Sequence, residues 1–114
     1  MTAARHALVL GAGLALGLGF AAAAFADEPA KVSITLENHK FSPAEPTAPA
    51  GKPIVIEIVN QDKTPAEFES KPLRVEKVVP GGDKITVRVR PLKPGRYRFF
   101  DDYHESTEGF LVTQ

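Results

Sequence analysis

The sequence predicts an all-β fold, a two-sheet Greek-key β-sandwich of six to eight short strands, and three observations lead to it. Short runs alternate apolar and polar residues, the period of a half-buried strand. Turn signals built on ten Pro and nine Gly separate those runs, at a spacing of about 8–12 residues that suits a sandwich. No stretch carries a helical 3.6-residue period of useful length. A chain of 114 residues has room for one such domain.

The chain opens on an address. Arg5 supplies a positive charge, Ala7–Ala24 is an uncharged apolar run, and Ala24-Phe25-Ala26 puts small residues where a signal peptidase inspects them. The expectation is a signal peptide over 1–26, cleaved after Ala26, and an exported domain over 27–114. The alternative is a retained anchor. The run is about long enough to span a bilayer, but its Ala/Gly content is weakly hydrophobic.

Val32-Ser33-Ile34-Thr35-Leu36 alternates as a half-buried strand. Phe41-Ser42-Pro43 and Ala48–Pro53 are turn-rich and leave space for one short edge strand. Ile54–Val59 is apolar on nearly both faces, which predicts a central strand ended by Asn60–Pro65. Leu73–Val79 is a further strand, closed by Pro80-Gly81-Gly82-Asp83. Ile85, Val87 and Val89 then point one way, with Thr86, Arg88 and Arg90 pointing the other. Pro91–Gly95 turns the chain into Arg96–Phe100, where Tyr97 and Phe99 share a core face, and Phe110–Thr113 ends it.

Composition removes several classes of function. With no Cys there is no disulfide framework, no Cys-bound zinc or iron–sulfur cluster, no thiol catalysis and no thiolate-bound blue copper. Fourteen Lys+Arg against fourteen Asp+Glu leave no basic surplus for a general nucleic-acid binder. Ser33, Ser42, Ser70 and Ser106 lie in no nucleophile context, so metal redox is the one enzymatic chemistry left to consider.

Function is therefore sought in loops carried by the strand scaffold. His39 stands two residues before Phe41, and in extended chain the two face the same way. Glu67 and Glu69 share a face, where like charges repel unless a cation or a positive side chain lies between them. Glu76 points away from the core, with a salt bridge to Lys71, Arg74 or Lys77 as its ordinary explanation. Asp101-Asp102-Tyr103-His104-Glu105 follows the Tyr97/Phe99 strand. Alternation from Phe99 selects Asp101 as the inward carboxylate if the strand persists that far. Arg88, Arg90, Arg96 and Arg98 share outward parity on consecutive strands, either a solvated face or a docking surface for an acidic partner. Imidazole and carboxylate donors suit Cu(II), Fe and other borderline to hard ions.

Asn60-Gln61-Asp62…Pro65…Glu67, followed by Pro94-Gly95-Arg96-Tyr97-Arg98-Phe99-Phe100…His104…Gly109-Phe110-Leu111-Val112, resembles the cupredoxin pattern. The resemblance puts Glu67 near the first His ligand slot, Asp101 in the Cys slot, His104 in the second His slot and Thr107 in the Met slot. Asn38-His39-Lys40-Phe41, Glu67-Phe68-Glu69-Ser70, Arg74-Val75-Glu76-Lys77 and Asp102-Tyr103-His104-Glu105 are similar to a narrower group, the periplasmic cupredoxin components of bacterial ferrous-iron uptake systems. That resemblance implies a non-blue Cu(II) and/or iron site in the periplasm. Its residues would be His39, Glu67, Glu69, Glu76, Asp102 and His104. It also implies an Fe(II)-oxidising step before transport, and partners in a periplasmic iron-binding protein and a membrane iron permease. A homodimer is compatible with it. The alternatives are a copper carrier without redox catalysis and a metal-free interaction module.

Overall fold

The structure is a computed structural model and describes residues 28–114. The expected signal peptide over 1–26 and its expected cleavage point lie outside the described residues. Nine strands follow in order: β1 (Ala30–Glu37), β2 (Lys40–Ser42), β3 (Thr47–Ala48), β4 (Ile54–Asn60), β5 (Ala66–Ser70), β6 (Val75–Val79), β7 (Lys84–Val89), β8 (Gly95–Asp101) and β9 (His104–Thr113). They form two mixed sheets, β2-β1-β4-β7 and β3-β9-β8-β5-β6, packed as a sandwich with no helix among the described residues. Within them β1 runs parallel to β4 and β3 to β9, and the remaining neighbours are antiparallel.

The expected strands are present, with instructive differences in number and extent. Two short edge strands form where the sequence predicts one between Pro43 and Ala48: β3 lies at that place, and β2 takes up Lys40–Ser42, largely in a predicted turn. The strand predicted from Leu73 begins at Val75, because Arg74 adopts a left-handed φ of 58°. His104 and Glu105 begin β9 instead of lying in a loop, so only Asp102 and Tyr103 separate β8 from β9. β4 is central as predicted, paired to β1 on one side and β7 on the other. Its even-numbered residues Ile54, Ile56, Ile58 and Asn60 are buried between the sheets, while Val55, Glu57 and Val59 are half-covered.

Ile34, Leu36, Ile56, Ile58, Phe68, Phe99 and Leu111 fill the space between the sheets. Burying each such side chain contributes about 1.5–3 kcal/mol relative to exposure. Phe41, Phe68 and Phe99 form an aromatic cluster, with ring centroids 5.1 Å apart for the pairs through Phe99 and 6.0 Å for Phe41–Phe68. Tyr97 packs at the edge of this core and donates its hydroxyl to the Lys93 carbonyl.

At one end of the sandwich the β1–β2 turn, the β4–β5 loop and the β8–β9 turn meet. Asn60 organises the middle one. It is fully buried and satisfied: its Nδ2 donates to the Thr64 and Val79 carbonyls, and its Oδ1 accepts the Asp62 amide. The Gln61 amide donates to the Leu36 carbonyl, which ties the loop to the end of β1. These bonds aim Asp62 at the β1–β2 turn.

The four arginines do not form one face. β7 and β8 are consecutive in sequence but belong to different sheets, so Arg88 and Arg90 are separated from Arg96 and Arg98. The latter two are already engaged: Arg96 pairs with Glu45 and stacks on Phe110, and Arg98 pairs with Glu108 and stacks on Phe100.

Candidate metal centre

β1 and β2 are joined by two residues, Asn38 and His39, with φ of 54° and 57°. Positive φ at both central positions is the signature of a type I′ hairpin turn, where Asn followed by Gly is the favoured pair. Asn38 suits its place. His39 stands where Gly would be cheaper, and a side chain held in this region costs about 1–2 kcal/mol. Neighbours hold it there. Asp62 Oδ1 accepts the Asn38 amide at 2.7 Å and Oδ2 accepts the His39 amide at 3.0 Å. From the opposite side the Thr107 hydroxyl donates to the His39 carbonyl at 2.7 Å. His39 is therefore not in extended chain. Phe41 turns into the core while the imidazole stays on the rim.

The hydrogen bond from the His39 amide is the largest influence on Asp62 and lowers its pKa. Partial desolvation opposes it, and the Asn38 amide and the His39 and His104 imidazoles lower it further, so the net shift is downward.

The second imidazole comes from the β8–β9 turn. Asp101, only 1% exposed, ends β8 at a register irregularity and pairs with His104 across the turn. Its Oδ1 accepts the Glu67 and Tyr103 amides at 2.9 and 3.0 Å. Its Oδ2 lies 3.3 Å from His104 Nδ1. The His39 and His104 rings stand with centroids 4.3 Å apart and planes inclined by 42°. The set His39, Asp101, His104 offers ligand atoms that all lie within 4.8 Å of one another.

This arrangement fits a bound ion. With metal–nitrogen bonds of about 2.0–2.1 Å, two imidazoles at a right angle around one ion have centroids about 4.5 Å apart. The donors are imidazole nitrogen and carboxylate oxygen, which suit Cu(II) and other borderline ions, and the absence of thiolate rules out a blue centre.

The remaining predicted residues form a separate, all-oxygen group on the outer face of the second sheet. Glu67 and Glu69 alternate along β5, Glu76 is directly opposite Glu69 on β6, and the three offer ligand oxygens within 4.8 Å of one another. Asp102, in the β8–β9 turn, completes the group through its contact with Glu67. No salt bridge from Glu76 to Lys71, Arg74 or Lys77 forms among the described residues. Desolvation is the first cause of a raised pKa at both Glu67 and Glu69. Hydrogen bonding to Asp102 and Glu76 respectively, and the surrounding negative charge, add to it.

A carboxyl whose folded pKa is raised favours the native state at low pH, and that advantage is lost as pH rises through the folded value. The metal-free protein should therefore lose stability as pH rises above the ordinary glutamate value of 4.5 and through the raised folded one, and Glu67→Gln with Glu69→Gln should flatten that decline. Thermal unfolding in chelator at several pH values measures it. A variant as pH-sensitive as the wild type would mean that the repulsion is solvated away.

The single centre expected from sequence is thus two adjoining groups. Asp101 stands with the imidazoles and Asp102 with the glutamates. A hydrogen bond from the Glu67 amide to Asp101 and one from the Asp102 amide to the Glu67 carbonyl link them. Asp62 and Thr107 are supporting residues that sequence reasoning did not single out for this task. The Asn38-His39 pair between two strand patterns was the available signal for the turn. A groove of about 610 Å³ runs between the edge strands β6 and β7, lined by Arg74, Lys77 and Arg88 among others, and touches the carboxylate group at Glu76 alone. The imidazole pair occupies a rim of turns and needs no cavity.

Comparison with known proteins gives the same fold. A family model described as the cupredoxin-like domain matches residues 9–113. An uncharacterized protein of Rickettsia prowazekii (strain Madrid E) is 40% identical over 87 residues, covering 75% of this chain and 70% of that protein. The metal binding domain of the Streptococcus pneumoniae D39 Cu(I) exporting P-type ATPase CopA, solved with Cu(I), superposes with a TM-score of 0.63 at 16% identity, covering 77% of this chain and 97% of that domain. A purple cupredoxin from Nitrosopumilus maritimus gives 0.56 at 17% identity, covering 75% and 99%. At these identities the structural likeness is one of fold.

Proposed function

The chain belongs to the cupredoxin-like domain family, and from that premise we propose that it is a periplasmic metal-binding protein with a non-blue His/carboxylate centre, acting in ferrous-iron uptake. One observation carries the metal reading: His39 and His104 stand 4.3 Å apart with the buried Asp101 carboxylate against one of them. His39 and His104 would hold Cu(II), with the Asp101 carboxylate set against His104. Bound there, the ion would supply a one-electron redox couple. The protein's own part is to hold the imidazoles at fixed separation through Asp62, Thr107 and the β8–β9 turn.

The iron reading is supported by the second group. Glu67, Glu69, Glu76 and Asp102 present hard anionic oxygen, which stabilises Fe(III) over Fe(II) and so favours oxidation of ferrous iron arriving as substrate. The resemblance of the Glu67–Ser70 and Asp102–Glu105 segments to components of ferrous-iron uptake systems points the same way. It makes a periplasmic iron-binding protein and a membrane iron permease the partners to test. Export by the Met1–Ala26 segment belongs to this proposal.

The test is a Cu(II) titration of the metal-free protein followed by an Fe(II) oxidation assay in air. One saturable Cu(II) site with nitrogen hyperfine structure, and Fe(II) consumption accelerated by the loaded protein, is the expected result. Saturable Cu(II) with an unchanged Fe(II) rate would leave a copper carrier. Neither would leave an interaction module.

The turn provides a sharper check. His39→Gly should leave stability unchanged or raise it by up to about 1 kcal/mol, because Gly accepts the left-handed turn. The same change should weaken Cu(II) binding by at least about 10–100-fold. Denaturant unfolding and the titration read the two effects separately. A destabilised variant with full affinity would make His39 a structural residue.

A further inference from the structure

We infer that Asp62 and Asp101 are a matched pair of positioning carboxylates, facing Nδ1 of His39 and His104 and so presenting the two Nε2 atoms to the ion. The inference rests on the reading of both histidines as ligands.

His104 gives the clearer half. Asp101 Oδ2 is 3.3 Å from His104 Nδ1, and a carboxylate can only accept. In the neutral imidazole that contact needs the proton on Nδ1, which leaves the lone pair on Nε2. Asp101 is buried, and two backbone amides hold its other oxygen, so the carboxylate is fixed and the ring adapts to it.

His39 repeats the pattern from another loop. Asp62 Oδ2 is 4.0 Å from His39 Nδ1, about 1 Å beyond a good hydrogen bond. The Asn38 and His39 amides and the buried Asn60 fix the carboxylate's place. The ring is half-exposed and so has room to turn toward Asp62. Each imidazole therefore faces its own carboxylate through the same ring nitrogen, although the carboxylates come from different loops. A carboxylate behind a ligating histidine fixes its tautomer and raises its basicity.

The rival arrangement uses the same atoms differently, with the ion on Nδ1 and Asp62 and Asp101 as direct oxygen ligands. Long-range 1H–15N correlation spectra of the metal-free protein, recorded above the imidazole titration range, separate the two. We expect the Nδ1–H pattern for both His39 and His104. We expect Asp62→Ala to shift His39 alone toward the Nε2–H tautomer and to weaken Cu(II) binding by about 10–100-fold, with both nitrogens retained in the hyperfine structure. Asp101→Asn makes the corresponding change at His104. Asp62 is on the rim, so its variant serves if the buried one fails to fold.

A wild type that binds Cu(II) through two nitrogens but shows Nε2–H tautomers overturns this inference and leaves the proposed centre standing. So does an Asp62→Ala variant with unchanged tautomer and affinity. A wild type that takes up no Cu(II) overturns the ligand reading itself, and this inference with it.

Discussion

Replacing His104 by alanine will lower Cu(II) affinity by about 100-fold or more, since removal of supporting groups alone costs about 10–100-fold at metal sites. The imidazole is half-exposed on the rim, so the variant should fold as the wild type does, and circular dichroism can confirm it. Electron paramagnetic resonance should lose one of two nitrogen couplings. Glu105→Ala is the matched control: it is exposed, adjacent, and belongs to neither group. If His104→Ala binds Cu(II) like the wild type, copper is held by the glutamate group and the imidazole pair is not the centre.

Phe99→Ala will destabilise the domain by about 3–5 kcal/mol, the range for removing a buried aromatic side chain. Phe99 is fully buried, touches Phe41 and Phe68, and is directly opposite Gly109 in the β8–β9 register. Small domains have about 5–15 kcal/mol in total, so this one change consumes a large share. Overfilling the same spot is the complementary error. A Cβ on Gly109 would lie 2.5 Å from Phe99 Cζ and 2.6 Å from the Ala44 carbonyl oxygen, and Gly109→Ala should cost about 1–3 kcal/mol. Denaturant midpoints rank the two. Adding Phe99→Leu to Gly109→Ala should recover part of the loss, because the two sites share one volume and do not add. Strict additivity would mean that the Ala44 carbonyl is the whole obstacle.

Most of the scaffold was legible because its residues report their own burial. Val32, Ile34 and Leu36 repeat at the strand period and are all buried on one face. The Ile54–Val59 run lacks clean alternation because β4 has neighbours on both sides. Short edges were harder to read: β2 and β3 have three and two residues, too few for a period to show. Parity also failed where a strand ended. Strand parity puts His39 on the side of Phe41, but its left-handed turn breaks the alternation that this needs. Asp101 followed parity from Phe99 correctly, because β8 persists to that residue; the reading that favoured Asp102 assumed an earlier end.

The candidate residues themselves, His39, Glu67, Glu69, Glu76 and His104 with one of Asp101 or Asp102, could be picked from the chain by donor chemistry and by resemblance. How they divide could not. His39 and His104 are far apart in sequence, and their meeting depends on which loops the two sheets bring to one end. Asp62 is an ordinary loop acid until the Asn60 bonds aim it at the Asn38 and His39 amides. The arginines show the same limit in reverse: they share parity, yet consecutive strands in different sheets set them on different faces.

By itself, then, the sequence determined the fold class, the strand scaffold and the absence of any thiolate centre, since each follows from local period or from composition. The tertiary structure alone decided that the donors form an imidazole–carboxylate pair beside an all-carboxylate group, and which carboxylate backs which histidine. Those are contacts between segments distant in the chain, and only closing the sandwich brings them within bonding distance.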